Sequence, residues 1–376
     1  MNGDGELIQF ITDNLRNVKI PPLNESSAQL FTSFFHILSE AHAEFSKLKL
    51  KPIPIANANA KGSMYEHIPA QIRTIIGHNY KMNLVTMQFK HRTINIYISQ
   101  TENLAKCIHQ IYLWFYLADN YADHKCSKNM NVFLYLTAHK KLLPVDGSPI
   151  NQINANTAFT TFCSESTDIH IYRNEEWFKV LIHESFHNMG LEFSPIANEN
   201  TNKQILSIFP VKSEVNLGES YAEIWAEMLN CAIVSFLTTK SKSNHTLMLS
   251  KLENLLNIET KFSLFQCAKV LRYNNMTYSD FFTKTDAKRR QYAESTNVLS
   301  YYIIKTILIY NKNTFIGWCI QNNRNPLDFK KTTANVDKYC ALIKRLHREP
   351  KFIADMQTAS NVGFNDTSLR MTVIEN

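Results

Sequence analysis

Hydrophobic and polar residues alternate with two different periods along this chain. Residues 26–48 carry apolar side chains at helical spacing, and the prolines within 52–54 end the pattern, so a helix is predicted there. A second helix is predicted over 68–77. Residues 83–89 and 93–98 instead alternate with the period of a strand and are rich in β-branched and aromatic residues, which predicts a hairpin.

The middle of the chain continues this mixture of helix and strand. An aromatic-rich helix is predicted over 102–119, where the tryptophan and tyrosine stripe is typical of a core face. Strands are predicted over 131–137, 156–163 and 168–172. The last strand runs directly into an amphipathic segment over 175–189, which predicts another helix.

The ends of that amphipathic segment carry helix signals. Asn174 is a candidate N-cap, and Glu175 and Glu176 fall in the first turn, where the helix dipole favours acidic side chains. Gly190 can close the C-terminus, because glycine readily adopts the left-handed conformation found there. We therefore expect a well-defined helix between these positions.

After residue 190 the pattern is almost entirely helical. The predicted helices lie near 214–238, 247–257, 261–273, 295–310 and 333–347. The predicted fold is α+β, with a small mixed sheet and a helical second half, and the change of pattern places a lobe boundary near 191–212. The predicted segments are 1–80 (helical), 81–190 (mixed sheet and helix) and 191–376 (helical).

Composition supports a globular protein. The 376 residues are 44% hydrophobic and 11% aromatic, which is enough for a large core. The net charge of +7 is modest, and the basic groups at Lys240–Lys242, Lys288–Arg290 and Lys344–Arg348 are dispersed, so nucleic-acid binding is not indicated. The sequence shows neither a secretory signal nor a membrane-length apolar run, so we expect no membrane association.

The cysteines indicate a compartment. Seven cysteines are widely spaced, odd in number and without a Cys-x-x-Cys pair, which is typical neither of a disulfide framework nor of a structural zinc site. We expect buried, reduced thiols and a soluble cytoplasmic protein, in a cell or a virion.

The chemistry is concentrated in residues 183–187, His-Glu-Ser-Phe-His. On a helix, His183 and His187 lie one turn apart on the same face, so both imidazoles can reach a single metal ion. Glu184 lies about 100° around the helix and can contact a metal-bound water instead. The pattern predicts one catalytic zinc ion per chain, with Glu184 as general base.

A catalytic zinc ion usually has three protein ligands and one open position. The segment 218–227 supplies Glu219, Glu223 and Glu227 along one helical stripe, and each is a candidate for the third ligand. Asn216 through Glu219 also reads as a capping box, which would make Glu219 a structural cap and move the ligand to Glu223.

This combination, HExxH followed by a helix with Glu-x-x-x-Asp/Glu, resembles the gluzincin metallopeptidases, which include thermolysin-like and neprilysin-like enzymes. The resemblance implies that Glu219 binds zinc and that Glu223 orients His183. It also implies a zincin-like N-terminal lobe. The spacing from His187 to Glu219 is longer than in thermolysin-like enzymes, and Glu223 stands where aspartate is more usual.

The resemblance further implies an edge strand that pairs with the substrate backbone, and Asn154 and Ala155 lie at a comparable distance before His183. An ordinary asparagine-rich turn at this position is the alternative. The string from His183 to Gly190 also begins the metzincin pattern, but its third ligand would fall at Phe193, which cannot bind zinc.

The predicted function is therefore a zinc-dependent metallopeptidase that acts on a peptide or protein substrate. Two alternatives stay open. One is a non-catalytic metal-binding structural or assembly protein that retains a zincin fold, and the other is metal-assisted hydrolysis of a non-peptide amide or ester. Tyr301, Tyr302 and His347 are candidates to stabilise an oxyanion, but the sequence favours none of them.

Overall fold

The computed structural model describes residues 3–55, 65–77, 81–99, 103–196, 199–211, 213–282, 291–363 and 366–375. The basic group Lys288–Arg290 lies outside them. The helices are α1 (Gly3–Asn14), α2 (Glu25–Phe45), α3 (Ala70–Ile76), α4 (Leu104–Asp119), α5 (Gln152–Ala155), α6 (Trp177–Asn188), α7 (Glu199–Leu206), α8 (Leu217–Thr238), α9 (His245–Tyr273), α10 (Lys305–Tyr310), α11 (Lys312–Asn322), α12 (Thr333–Leu346) and α13 (Pro350–Ser360). A π-helical turn, Leu299–Ile304, leads directly into α10.

Within the described residues, six strands form one mixed sheet in the order β1-β2-β3-β4-β6-β5. They are β1 (Ile53–Ile55), β2 (Met82–Gln88), β3 (Thr93–Ser99), β4 (Asn129–Thr137), β5 (Ala158–Thr160) and β6 (Ser166–Arg173). Strands β3, β4 and β6 are parallel, whereas β5 runs antiparallel to β6 at the edge. The hairpin β2–β3 confirms the prediction from strict alternation, because Ile94, Ile96 and Ile98 are fully buried on one face.

The observed fold is α+β, as predicted, but some elements differ from expectation. The strand predicted over 156–163 is reduced to β5. In the second half, α9 is continuous where two helices were predicted, since no glycine or proline interrupts it. The polar residues that broke the apolar pattern are buried and bonded: Glu259 accepts the backbone N–H groups of Val373 and Ile374.

The start of α6 also corrects the prediction. The helix begins at Trp177, and Asn174 provides no cap. Glu176 lies just before it in the left-handed conformation (φ 61°), and its carboxylate accepts the backbone N–H groups of Met371 and Thr372. Glu175 accepts the backbone N–H of Lys141. Both acids therefore bind neighbouring segments rather than the first turn of their own helix.

The prediction that all cysteines are reduced is wrong for two of them. Cys126, in the loop after α4, and Cys163, after β5, form a disulfide, because the fold brings their Cα atoms to 4.9 Å. The other five cysteines are free and buried. Gly190 lies against this disulfide with φ 66°, so it does end the α6 region in the predicted manner.

One continuous hydrophobic core contains residues of all three predicted segments, including Phe34 of α2, Phe186 of α6 and Ile309 of α10. Among the described residues, no helix has the length and apolar character needed to cross a membrane. The core holds α6 between the sheet and α8, and this packing positions the HExxH residues.

Candidate metal centre

Helix α6 carries both histidines on one face. The Nε2 atoms of His183 and His187 are 3.2 Å apart, and both side chains are largely buried. This is the arrangement expected from a spacing of four residues on a helix. The HExxH segment therefore folds locally as its sequence predicts.

The third donor comes from the first turn of α8. Oε2 of Glu219 lies 3.1 Å from Nε2 of His183 and 3.5 Å from Nε2 of His187. Asn216 caps the helix through its side chain, which accepts the Gly218 N–H at 3.0 Å and donates to Oε1 of Glu219 at 3.4 Å, whereas a capping box would need Glu219 to accept the Asn216 backbone N–H. Glu219 is thus not used as a capping-box residue, and its carboxylate faces the two imidazoles.

These three donors fit a small divalent cation. They form a nearly equilateral triangle with sides of 3.2, 3.1 and 3.5 Å. Zinc ligands with bonds of about 2.0–2.1 Å at tetrahedral corners lie about 3.3 Å from one another. Two imidazoles and one carboxylate are also a donor set that zinc accepts. His183, His187 and Glu219 could therefore hold a metal ion.

Glu223, one turn further along α8, contacts the second ring nitrogen of His183. Its Oε2 lies 2.8 Å from Nδ1 of His183, and its Oε1 accepts a hydrogen bond from Lys179 at 2.6 Å. Burial opposes ionisation of Glu223, but the ammonium of Lys179 and the contact with His183 outweigh it and hold the pKa of that carboxyl well below its usual range. An acceptor at Nδ1 leaves Nε2 free to bind metal.

Glu192 plays the same part for His187, and the sequence analysis missed it. Its Oε1 lies 3.1 Å from Nδ1 of His187, and its Oε2 accepts the Ser194 backbone N–H. The residue is fully buried in the turn after α6. Its separation of five residues from His187 is not a helical spacing, and only the reversal of the chain at Gly190 brings the carboxylate back to the imidazole.

The remaining candidates lie elsewhere. Glu227 contacts Lys305 at 2.6 Å and Ser263 at 3.0 Å, so its carboxylate is committed to a buried ion pair. Asn154 and Ala155 lie in the short helix α5, not in the edge strand. The Asn154 amide donates to the Leu142 carbonyl at 3.0 Å, which ties it to a loop. The edge-strand position belongs to β5 instead.

His187 and Glu219 border an open cleft of about 270 Å³. Edge strand β5 forms one wall, and Glu184 lies in the cleft beside His187 and Glu219. Glu184 is 9% exposed, and its burial raises the pKa of its carboxyl. The general base predicted from the sequence therefore lines the same cleft as His187 and Glu219, two of the three side chains that could hold a metal ion.

Tyr301 completes the cleft from the π-helical turn. Its hydroxyl donates to Oε2 of Glu219 at 3.0 Å, and its ring lies 5.9 Å from that of His183. Tyr302 points away and donates to the Leu369 carbonyl. His347 bonds the Lys344 carbonyl at the end of α12. Of the three residues considered from the sequence, only Tyr301 reaches the site.

Comparison with known proteins adds no assignment. No family model matches the chain, and neither a curated protein nor a solved structure matches it significantly. The functional argument therefore depends on the residues and geometry of the site itself.

Proposed function

We propose that this protein is a zinc-dependent metallopeptidase with a zincin-like N-terminal lobe. The observation that supports the proposal is the convergence of His183, His187 and Glu219 within 4.8 Å of one another, beside Glu184 in an open cleft. Supporting it further, both imidazoles have a carboxylate at Nδ1, as ligating histidines usually do. His183, His187 and Glu219 would hold one zinc ion.

A bound zinc ion would supply a Lewis acid and lower the pKa of a water molecule. Glu184 takes the proton from the attacking water and returns it to the leaving amine. The Tyr301 hydroxyl, which donates to Glu219 in the free protein, would donate instead to the oxygen of the scissile carbonyl as negative charge develops there. Its position on a π-helical turn is consistent with this role, because such turns often occur at functional sites.

Strand β5 would bind the extended substrate backbone. It is the last strand of the sheet among the described residues, so its second edge has no strand partner there. Ala158, Phe159 and Thr160 all border the cleft. Addition of a peptide to such an edge is a common mode of recognition, in which main-chain hydrogen bonds supply affinity.

The test combines metal analysis with cleavage of a mixed peptide library, with and without a chelator. We expect one equivalent of zinc and chelator-sensitive cleavage. Glu184→Gln should keep the metal and lose cleavage by roughly 10²–10⁴-fold, the usual contribution of a general base. Glu199→Gln, at an exposed position of α7, is the matched control and should cleave normally.

The outcomes separate the alternatives. Stoichiometric zinc without cleavage of any peptide would favour a non-catalytic metal-binding protein. Cleavage that persists in Glu184→Gln would contradict the assigned base. Failure of the purified protein to bind zinc would contradict the metal centre itself.

A further inference from the structure

A second cavity, of about 340 Å³, lies outside the metal centre and shares no residue with its cleft. It is open to solvent and is lined by the segment that joins α1 to α2, by the middle of α9 and by the start of α11. Four basic residues line it: Arg16, Lys19, Lys261 and Lys312. Its volume is within the range of small-molecule binding sites.

Two of these lysines are buried. Lys261 is 6% exposed and Lys312 is 2% exposed, whereas Arg16 and Lys19 are exposed at the rim. Lys312 Nζ donates to the Pro21 carbonyl at 2.7 Å. In the described part of the chain, Lys261 Nζ has neither a hydrogen-bond acceptor nor an acidic partner, and it faces the cavity. This is an unusual environment for an ammonium group.

The cavity contains too little negative charge to compensate these cations. Glu253 is the only acid among the described lining residues, and its Oε1 already accepts the Leu23 N–H at 3.1 Å. Burial lowers the pKa of Lys312 to about 8, and burial together with the charge of Lys19 lowers the pKa of Lys261. An anion in the cavity would give the Lys261 ammonium a partner that the described residues do not supply.

We propose that this cavity is a binding site for a phosphorylated small molecule. Four cations and one carboxylate give the lining an excess of three positive charges, which suits a ligand with two or more negative charges. A phosphate monoester carries about −1.5 to −2 at pH 7, and lysine binds it as a point charge. The side-chain amide of Asn257, also on the lining, can donate to a hydroxyl group of the same ligand.

Phosphate chemistry of this kind can come from a soluble phosphate ester or from the headgroup of a phosphorylated lipid. The rim residues Arg16 and Lys19 are compatible with both sources. The site requires no metal ion, so this proposal does not depend on the proposed peptidase activity.

The test is a calorimetric titration of the full chain with inorganic pyrophosphate, accompanied by thermal unfolding. We expect saturable binding at one site and an increase in Tm. Lys261→Met keeps the length of the side chain and removes the charge, and it should weaken binding on the order of 10- to 100-fold, as expected for loss of a charged hydrogen bond.

Lys251→Met is the matched control. Lys251 lies on the same helix but outside the cavity lining, and its amine donates to the Thr238 carbonyl at 2.7 Å. The substitution changes the net charge equally, so unchanged pyrophosphate affinity would show that the effect is local. Absence of saturable binding, or equal weakening in Lys251→Met and Lys261→Met, would overturn the proposal.

Further titrations identify the source of the phosphate. A nucleoside triphosphate and inositol trisphosphate are compared with vesicles of phosphatidylcholine containing a phosphoinositide. Binding to the soluble compounds but not to vesicles assigns a free ligand, whereas vesicle binding that requires Lys261 assigns a lipid headgroup.

Discussion

Gly218→Ala tests how closely the ligand-bearing helix must approach the HExxH segment. Gly218 lies in the first turn of α8, and a Cβ atom added there would overlap Oε2 of Glu192 and Oγ of Ser194. Glu192 cannot easily move away, because it is fully buried and bonded to His187 and to the Ser194 backbone. The added methyl group must therefore displace either this carboxylate or the start of α8.

The expected cost follows from those two bonds. A hydrogen bond to a charged group contributes about 1.5–3 kcal/mol, so losing both costs about 3–6 kcal/mol. Alanine is favoured over glycine in helices by about 1 kcal/mol, which offsets part of the loss. We expect Gly218→Ala to lower the free energy of unfolding by about 2–5 kcal/mol, opposite in sign to the intrinsic helix preference.

The assay is urea unfolding in the presence of a chelator, followed by a zinc competition titration. Gly317→Ala in α11 is the control, since a Cβ atom there meets nothing within 4 Å. That variant should be more stable than the wild type by about 0.5–1 kcal/mol. If Gly218→Ala were as stable as Gly317→Ala and bound zinc with wild-type affinity, the inferred close contact between α8 and the turn after α6 would be wrong.

Two further predictions concern buried polar groups. Glu192→Gln keeps the size of the side chain but weakens the acceptor for His187, so zinc affinity in a competition titration should fall roughly 10- to 100-fold; an unchanged affinity would rule out the supporting role. His170 is stacked between Phe133 and Phe159, and its burial, followed by the charge of His67, lowers its pKa from 6.5 to about 3. The unfolded chain therefore binds this proton first, and stability is lost as pH falls from 6.5 towards 3. His170→Phe should reduce this loss by about 1.4 kcal/mol per pH unit, or ~3 kcal/mol at pH 4.5, measured as the difference in unfolding free energy between pH 7 and 4.5; equal acid sensitivity of both proteins would contradict it.

Much of the secondary structure was predictable because local periodicity controls it. The β2–β3 hairpin and helices α2, α4, α8 and α12 lie close to their predicted ranges. The predictions are wrong where contacts with distant segments of the chain determine the local structure. Glu175 and Glu176 resemble acids of a first helical turn. In the structure, however, Glu176 accepts a backbone N–H from the segment after α13, and Glu175 accepts the backbone N–H of Lys141.

The candidate site was predictable only in part. The spacing within HExxH fixes the relative positions of His183, Glu184 and His187, since these residues share one helix. Tyr301 and Glu192 could not be chosen from sequence, because one arrives from a π-helical turn far along the chain and the other depends on a chain reversal. Likewise, the pairing of Cys126 with Cys163 reflects the approach of two loops, which no local pattern encodes.

The three glutamates of α8 separate what the local sequence determines from what the tertiary structure determines. Their spacing of four residues places Glu219, Glu223 and Glu227 on one stripe, and by periodicity alone they are equivalent. The two histidines supply two of the three protein ligands of a catalytic zinc site, so only one of these carboxylates is needed as the third. The packing of α8 makes the choice: against α6 it places Glu219 at the Nε2 atoms and Glu223 at Nδ1 of His183, and against α10 it places Glu227 at Lys305.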